Sequence, residues 1–311
     1  MGKSKILSNL QKYTMVIALV VVFILFSVLT DGKIMLPQNI NNLISQNAYV
    51  FVLATGMLLC ILTGGNIDLS VGSVIAFAGG IGALMMDKGM NCWVAVIAML
   101  VVGTLVGVLQ GYFIAFIKVP PFIATLAGMY AFRGLANVVL QGYAVSIDDT
   151  TFLNVFGGGA DCYVPDFIGP IGGKNGLCIV AGIVLIAVYV ILTFNNRLQA
   201  KKQGYSVDPL AGVLAKTIAI CAAALFLIFK LASHKGIPTA LIWIGLVLLG
   251  YSYITTRTTM GRYLYAVGGN EKATRLSGIN TKSVYFFAYI NMGLLAGLAG
   301  ILTVARAASA Q

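Results

Sequence analysis

The feature that most constrains this chain is the recurrence of continuous apolar runs long enough to cross a lipid bilayer. A spanning helix needs roughly 20 mostly apolar residues, within a range of about 17–25. Nine stretches qualify: 13–30, 47–63, 69–86, 92–117, 121–140, 177–194, 213–231, 237–255 and 283–304. Lipid offers the backbone no water, so each run must be helical or shielded by protein. The runs are continuous rather than alternating with period two, which excludes an outer-membrane β-barrel. Composition agrees: 59% of the 311 residues are hydrophobic and 9% are charged, against roughly 25% charged in a soluble domain. The expected fold is all-α, a polytopic transmembrane helical bundle of about nine spans forming one domain over residues 1–311.

The basic start (Lys3, Lys5, Lys12) precedes an apolar run at 13–30 that no A-x-A site follows. That run is longer than a signal-peptide core of about 7–15 residues, so it reads as the first permanent span. Orientation follows from the basic residues. With a cytoplasmic N-terminus, thirteen Lys and Arg fall on the inner face and six on the outer, leaving Arg133 within a span. The loop 141–176 carries Asp148, Asp149, Asp161 and Asp166 but only Lys174 among basic residues, and it belongs outside. Nine helices from an inside start satisfy the positive-inside rule. The net charge of +11 is therefore assigned to membrane orientation and anionic headgroups rather than to nucleic acid. Small residues recur four apart at Gly103, Gly107 and Gly111, at Gly72, Ala76 and Gly80, and at Gly293 and Gly297. That spacing lets helix backbones approach closely in lipid.

Three segments depart from plain apolar filler. In 63–72, Gly64 and Gly65 permit a sharp turn, and Asp68 is a suitable N-cap for the next helix. A tight capped hairpin accounts for this segment. So does a translocation path or gate lined by Asn66, Asp68 and Ser70, because a carboxylate beside apolar sequence is costly unless it faces protein or water. Arg133 lies inside 121–140. At a helix centre arginine costs at least about 2.5–3.5 kcal/mol, so it should face the bundle, with Asn137 one turn later on the same face. The alternative is a side chain snorkelling to the outer headgroups. The third segment, 261–280, contains Gly269, Asn270 as N-cap, Glu271 in the first turn, Ala273, Arg275 in the last turn and Gly278 as the stop. A helix of about two turns is marginal alone, so it must pack on its own bundle or on a soluble partner.

Other chemistries find little support. Cys60, Cys92, Cys162, Cys178 and Cys221 have no CxxC spacing, and His234, the single histidine, has no neighbour at metal-ligand spacing. No cofactor is expected. No GxxxxGK[ST] occurs, so the chain has no phosphate-binding loop of its own. An ion-coupled secondary transporter usually has carboxylates at mid-membrane, whereas Asp68 and Asp87 stand only at span edges.

These segments also carry a resemblance. Gly64-Gly65-Asn66-Ile67-Asp68-Leu69-Ser70-Val71-Gly72 resembles the GGIDLSVG signature of the ribose, xylose and galactose permeases of ATP-binding-cassette importers, with Asn66 ahead of the isoleucine. The stretch 261–278 resembles the family's GRxxYAxGGNxxAAxxSG cytoplasmic motif, with Asn270 and Gly278 in register. Thr125-Leu126-Ala127-Gly128 and Arg133-Gly134-Leu135-Ala136 look like its TLG…RGLA helix. The extra apolar pair around 218–253 is most similar to the multiple-monosaccharide permeases.

The resemblance implies a transport subunit without its own ATPase site, in a bacterial plasma or inner membrane. It implies a second permease copy, a cytoplasmic ABC ATPase subunit docked through Gly269, Asn270, Glu271, Ala273, Arg275 and Gly278, and a monosaccharide delivered by an extracytoplasmic sugar-binding protein. The path would involve Asn66, Asp68, Ser70, Arg133 and Asn137. Family members continue past the position of Gln311 with further helices, so the resemblance also implies C-terminal truncation.

Overall fold

The computed structural model describes residues 14–159, 161–205 and 209–311. The basic residues Lys3, Lys5 and Lys12, and the N-terminus whose side they were read to set, lie outside the described residues. Each of the nine apolar stretches is mainly helical where described. The helices are α1 (Thr14–Leu29), α2 (Pro37–Gln46), α3 (Ala48–Leu62), α4 (Val71–Asp87), α5 (Cys92–Tyr112), α6 (Pro121–Leu140), α7 (Thr150–Phe156), α8 (Gly176–Lys202), α9 (Leu210–Ala232), α10 (Thr239–Arg257), α11 (Thr259–Gly269), α12 (Glu271–Leu276) and α13 (Thr281–Ala307). A π-helical turn, Phe113–Ile117, prolongs α5.

The chain is an all-α polytopic membrane protein. Among the described residues six helices, α5 with its π-turn, α6, α8, α9, α10 and α13, are long and apolar enough to span, and α2 with α3 makes a seventh if that bent pair is one span. The sequence expects nine. Helix α1, described from Thr14, has 16 residues, and two other apolar runs lose their ends to turns. Residues 63–70 leave the helical path, which shortens α3 to 15 residues and α4 to 17.

The described residues fall into two compact units. In the one built from Ile44–Val164 and Pro238–Gln311, α13 is the axis: 67% of its apolar window is buried, against 39% or less for the other five spans. Its small residues explain this position. Gly103 and Gly107 on α5 face Gly293 and Gly297 on α13 with their backbones in contact. The third small-residue row behaves differently. A Cβ at Gly72 would meet no atom within 4 Å, and α4 instead reaches α13 through Gly79, beside Val304, and through Ile75, beside Gly300. Two short antiparallel strands, β1 (Val145–Ser146) and β2 (Ser309–Ala310), pair Val145 with Ala310 and Ser146 with Ser309.

The other unit comprises the described parts of Met1–Leu43 and Pro165–Ile237. Helices α8 and α9 pair where Gly182 receives Ile228. Asn175 caps α8 by accepting the Cys178 N–H at 2.8 Å. The Asp166 carboxylate accepts backbone N–H groups from Ile168, Gly169, Gly176 and Leu177 at 2.8–3.1 Å, organising the loop ahead of α8.

Candidate functional site

The connection between α3 and α4 turns at Gly64 and Gly65, whose φ values of +113° and +82° favour glycine. Asn66 then anchors to Thr63, donating to its hydroxyl at 3.0 Å. Asp68 is 5% exposed, and one of its oxygens, Oδ1, accepts both the Ser70 N–H at 2.8 Å and the Ser70 hydroxyl at 2.6 Å. Ser70 rather than Asp68 stands at the N-cap of α4, and it makes no side-chain cap bond there. The capping expected of Asp68 is therefore replaced by a turn closed on Ser70.

Ser70 in turn accepts from Gln110 Nε2 at 2.7 Å. Gly128 leaves room for that amide, since a Cβ there would collide with Gln110. Thr125 donates to the Pro121 carbonyl at 2.9 Å and reaches the Ile67 carbonyl at 3.5 Å. Burial pushes the Asp68 carboxyl up from its ordinary range, with the two Ser70 donors opposing the shift. Asp68, Ser70 and Gln110 thus form one buried polar chain joining the connection to α5. Sequence reasoning missed Gln110. The available signal was a lone amide within the apolar run 92–117.

Arg133 and Asn137 are not part of this network. The buried row of α6 is Thr125, Gly128, Phe132, Ala136 and Leu140, and Arg133 and Asn137 follow its members by one residue. Each is therefore rotated by about 100° from that row, and both are exposed. The expected inward-facing arginine is corrected: among the described residues no carboxylate, amide or carbonyl meets its guanidinium.

The segment 269–278 is a capped helix. Asn270 accepts the Ala273 N–H at 3.0 Å and Glu271 opens the first turn. The helix ends in a Schellman closure, with the Gly278 N–H on the Arg275 carbonyl at 3.1 Å and the Ile279 N–H on that of Thr274 at 3.3 Å. Gly278 takes the φ of +85° that this closure needs. Thr274 is buried and donates to the Ala266 and Asn270 carbonyls, both at 2.8 Å. Lys272, Ala273, Arg275 and Leu276 are exposed, Leu276 at 86%.

The structure brings this helix to the first segment. Gly268 abuts the Leu62 carbonyl and the Gly64 amide with no space for a side chain. Glu271 accepts hydroxyl bonds from Thr281 at 3.2 Å and Tyr285 at 3.1 Å, with the Lys118 ammonium 3.7 Å away. Asn66 shares with Glu271, Lys118 and Tyr285 a cleft of ≈ 150 Å³.

Comparison with known proteins places these features in context. A family described as "Branched-chain amino acid transport system / permease component" matches residues 39–161 and 172–311. The xylose transport system permease protein XylH of Escherichia coli K12 is 33% identical over 299 residues, covering 96% of this chain and 72% of that protein. Its counterpart in Haemophilus influenzae is 34% identical over 96% of this chain and 76% of its own length. The ribose import permease protein RbsC of Escherichia coli K12 is 31% identical over 97% of this chain and 72% of its own length. No solved structure matches the chain significantly. With the match running through both compact units, this multi-pass membrane protein belongs to the family of branched-chain amino acid transport system permease components.

Proposed function

We propose that this chain is the membrane-spanning permease of an ATP-driven monosaccharide importer. The observation that carries this reading is its similarity, over 96–97% of its length, to permeases named for xylose and ribose transport. The chain acts as one permease domain of about nine spans with a cytoplasmic N-terminus, the orientation that its basic residues favour. A second copy stands beside it, an ABC ATPase binds at the cytoplasmic face, and an extracytoplasmic binding protein delivers the sugar. Nucleotide-driven closure of the ATPase displaces the helix Glu271–Leu276, and the spans alternate between outward and inward openings.

Arg133 and Asn137 face away from the interior of their own chain, so a path lined by them needs a second copy to close it. Asn66, Asp68 and Ser70 act as its gate. A neutral sugar is recognised by amides and hydroxyls; Asn66 and Asn137 carry amides, while Asp68 and Ser70 are bonded to each other. The ion-coupled alternative gains nothing from relatives that are permease components of transport systems. The family description favours a second substrate reading, a branched-chain amino acid.

One experiment separates these readings. The permease is reconstituted in proteoliposomes with its ATPase and binding protein, and uptake of radiolabelled xylose, ribose and leucine is measured. ATP-dependent uptake of a pentose is expected. ATP-dependent uptake of leucine alone would move the substrate to the second reading, and accumulation driven by a sodium or proton gradient without ATP would overturn the importer reading.

A further inference from the structure

We infer that Glu271 is a positioning residue: with Lys118 and Tyr285 it forms a latch that passes displacement of helix Glu271–Leu276 to the Gly64–Ser70 connection. This inference rests on the proposed coupling role of that helix.

A first-turn glutamate needs no partner beyond the helix itself, because the exposed amides of the N-terminus already favour a negative charge. Glu271 has three further partners. Both carboxylate oxygens are engaged from α13, Oε1 by the Thr281 hydroxyl and Oε2 by the Tyr285 hydroxyl. The Lys118 ammonium lies near Oε1 and 5.5 Å from the centre of the Tyr285 ring. The carboxylate thus faces the bundle, while Lys272, Ala273, Arg275 and Leu276 remain exposed for a docking partner. One side of this short helix is free to be pushed and the other is fastened.

What it is fastened to gives the latch its meaning. Thr281 and Tyr285 form the foot of α13, the most buried helix of its unit. Lys118 sits at φ +68°, directly after the π-turn that ends α5 and ahead of Pro120 and Pro121, which open α6. Its backbone is held in a left-handed conformation that a lysine seldom adopts, between two helices with little slack. On the other side, Gly268 bears on Leu62 and Gly64, and Asn66 lines the same cleft as Tyr285. A shift of the cytoplasmic helix therefore reaches the foot of α13, the α5–α6 junction and the turn leading to Asp68 together.

The test uses the assembled importer in proteoliposomes, with wild type compared against Lys118→Met, Tyr285→Phe and Glu271→Gln. Three quantities are read: ATPase co-purified per permease, ATP hydrolysed, and radiolabelled xylose imported. For Lys118→Met and Tyr285→Phe we expect unchanged ATPase recovery and hydrolysis, with xylose imported per ATP reduced at least threefold. Combining Tyr285→Phe with Glu271→Gln should lower that ratio no further than Glu271→Gln alone, since both act through one contact. An unchanged ratio in both single variants would overturn the latch. So would a parallel fall in ATPase recovery, which would make the cluster a docking element. If Tyr285→Phe lowers abundance in the membrane, Lys118→Met carries the test, because that side chain is half exposed. A wild-type importer that takes up none of xylose, ribose and leucine with ATP would overturn the importer reading and the latch together.

Discussion

Gly103 and Gly293 are in backbone contact: a Cβ built on Gly103 would lie 2.5 Å from the Gly293 carbonyl oxygen, and one on Gly293 would press on the Gly103 carbonyl in return. The contact continues along both helices, Gly107 against the Tyr289 carbonyl and Gly297 against that of Met99. In lipid there is no hydrophobic drive to bring two apolar helices together, so close backbone packing takes over that task.

Gly103→Leu should therefore separate α5 from α13. We expect a loss of stability of at least about 1–3 kcal/mol, the usual cost of overpacking, read as a lower thermal unfolding midpoint in detergent. Gly250 provides the contrast, with no atom within 4 Å of its Cβ position. Gly250→Ala should be neutral or stabilising by up to about 1 kcal/mol, the helix-propensity difference. Equal midpoints for the two variants would contradict the packing.

Ser70 is the middle of the buried chain from Asp68 to Gln110. Ser70→Ala leaves the Gln110 amide without its acceptor, at a cost of about 1–3 kcal/mol for a buried polar group. Gln110→Met removes the other end of the same bond. The two effects should fall short of additive in the double variant, by the same unfolding measurement. Full additivity would mean that the bond is not formed.

The helix Glu271–Leu276 depends on its cap. Ala273 occupies the third helical position, where its N–H bonds the Asn270 side chain rather than a preceding carbonyl. Ala273→Pro therefore removes the capped donor instead of breaking the helix interior, and Asn270→Ala removes the acceptor at about 0.5–2 kcal/mol. Both should lower recovery of the ATPase in pull-downs normalised to permease abundance. Full recovery in both would move the coupling role to another segment, such as 197–216 at the ends of α8 and α9.

Orientation can be read by cysteine labelling, though not at Cys162, whose side chain is buried. Phe167 is 79% exposed and Leu276 is 86% exposed. Phe167→Cys should react with a membrane-impermeant maleimide in cells whose outer barrier is permeable to it, and Leu276→Cys only after the cell membrane is opened. The reverse pattern would invert the topology. Cys60, Cys92 and Cys178 are also buried and Cys221 is half-buried, which keeps the background low.

Much of the helix Glu271–Leu276 was legible in the sequence because caps are local. Asn270, Glu271, Arg275 and Gly278 act within a few residues of one another, and the structure places all four as their chemistry dictates. Arg133 was less legible. Its cost in lipid is evident from its identity, but the face of α6 that turns inward depends on helical phase against α4 and α5. One residue of phase separates buried Phe132 from exposed Arg133.

The sequence by itself determined the membrane class, the helical character of nine apolar stretches and the family, because run length, backbone hydrogen bonding and contiguous motifs are properties of neighbouring residues. Tertiary structure decided the rest. It drew Gln110 to Ser70 across 40 positions and brought Lys118, Glu271 and Tyr285 together at one cleft. It also paired the α5 glycines with those of α13. Pairings of this kind depend on which helices can approach closely enough to exclude lipid, and no local pattern encodes that distance.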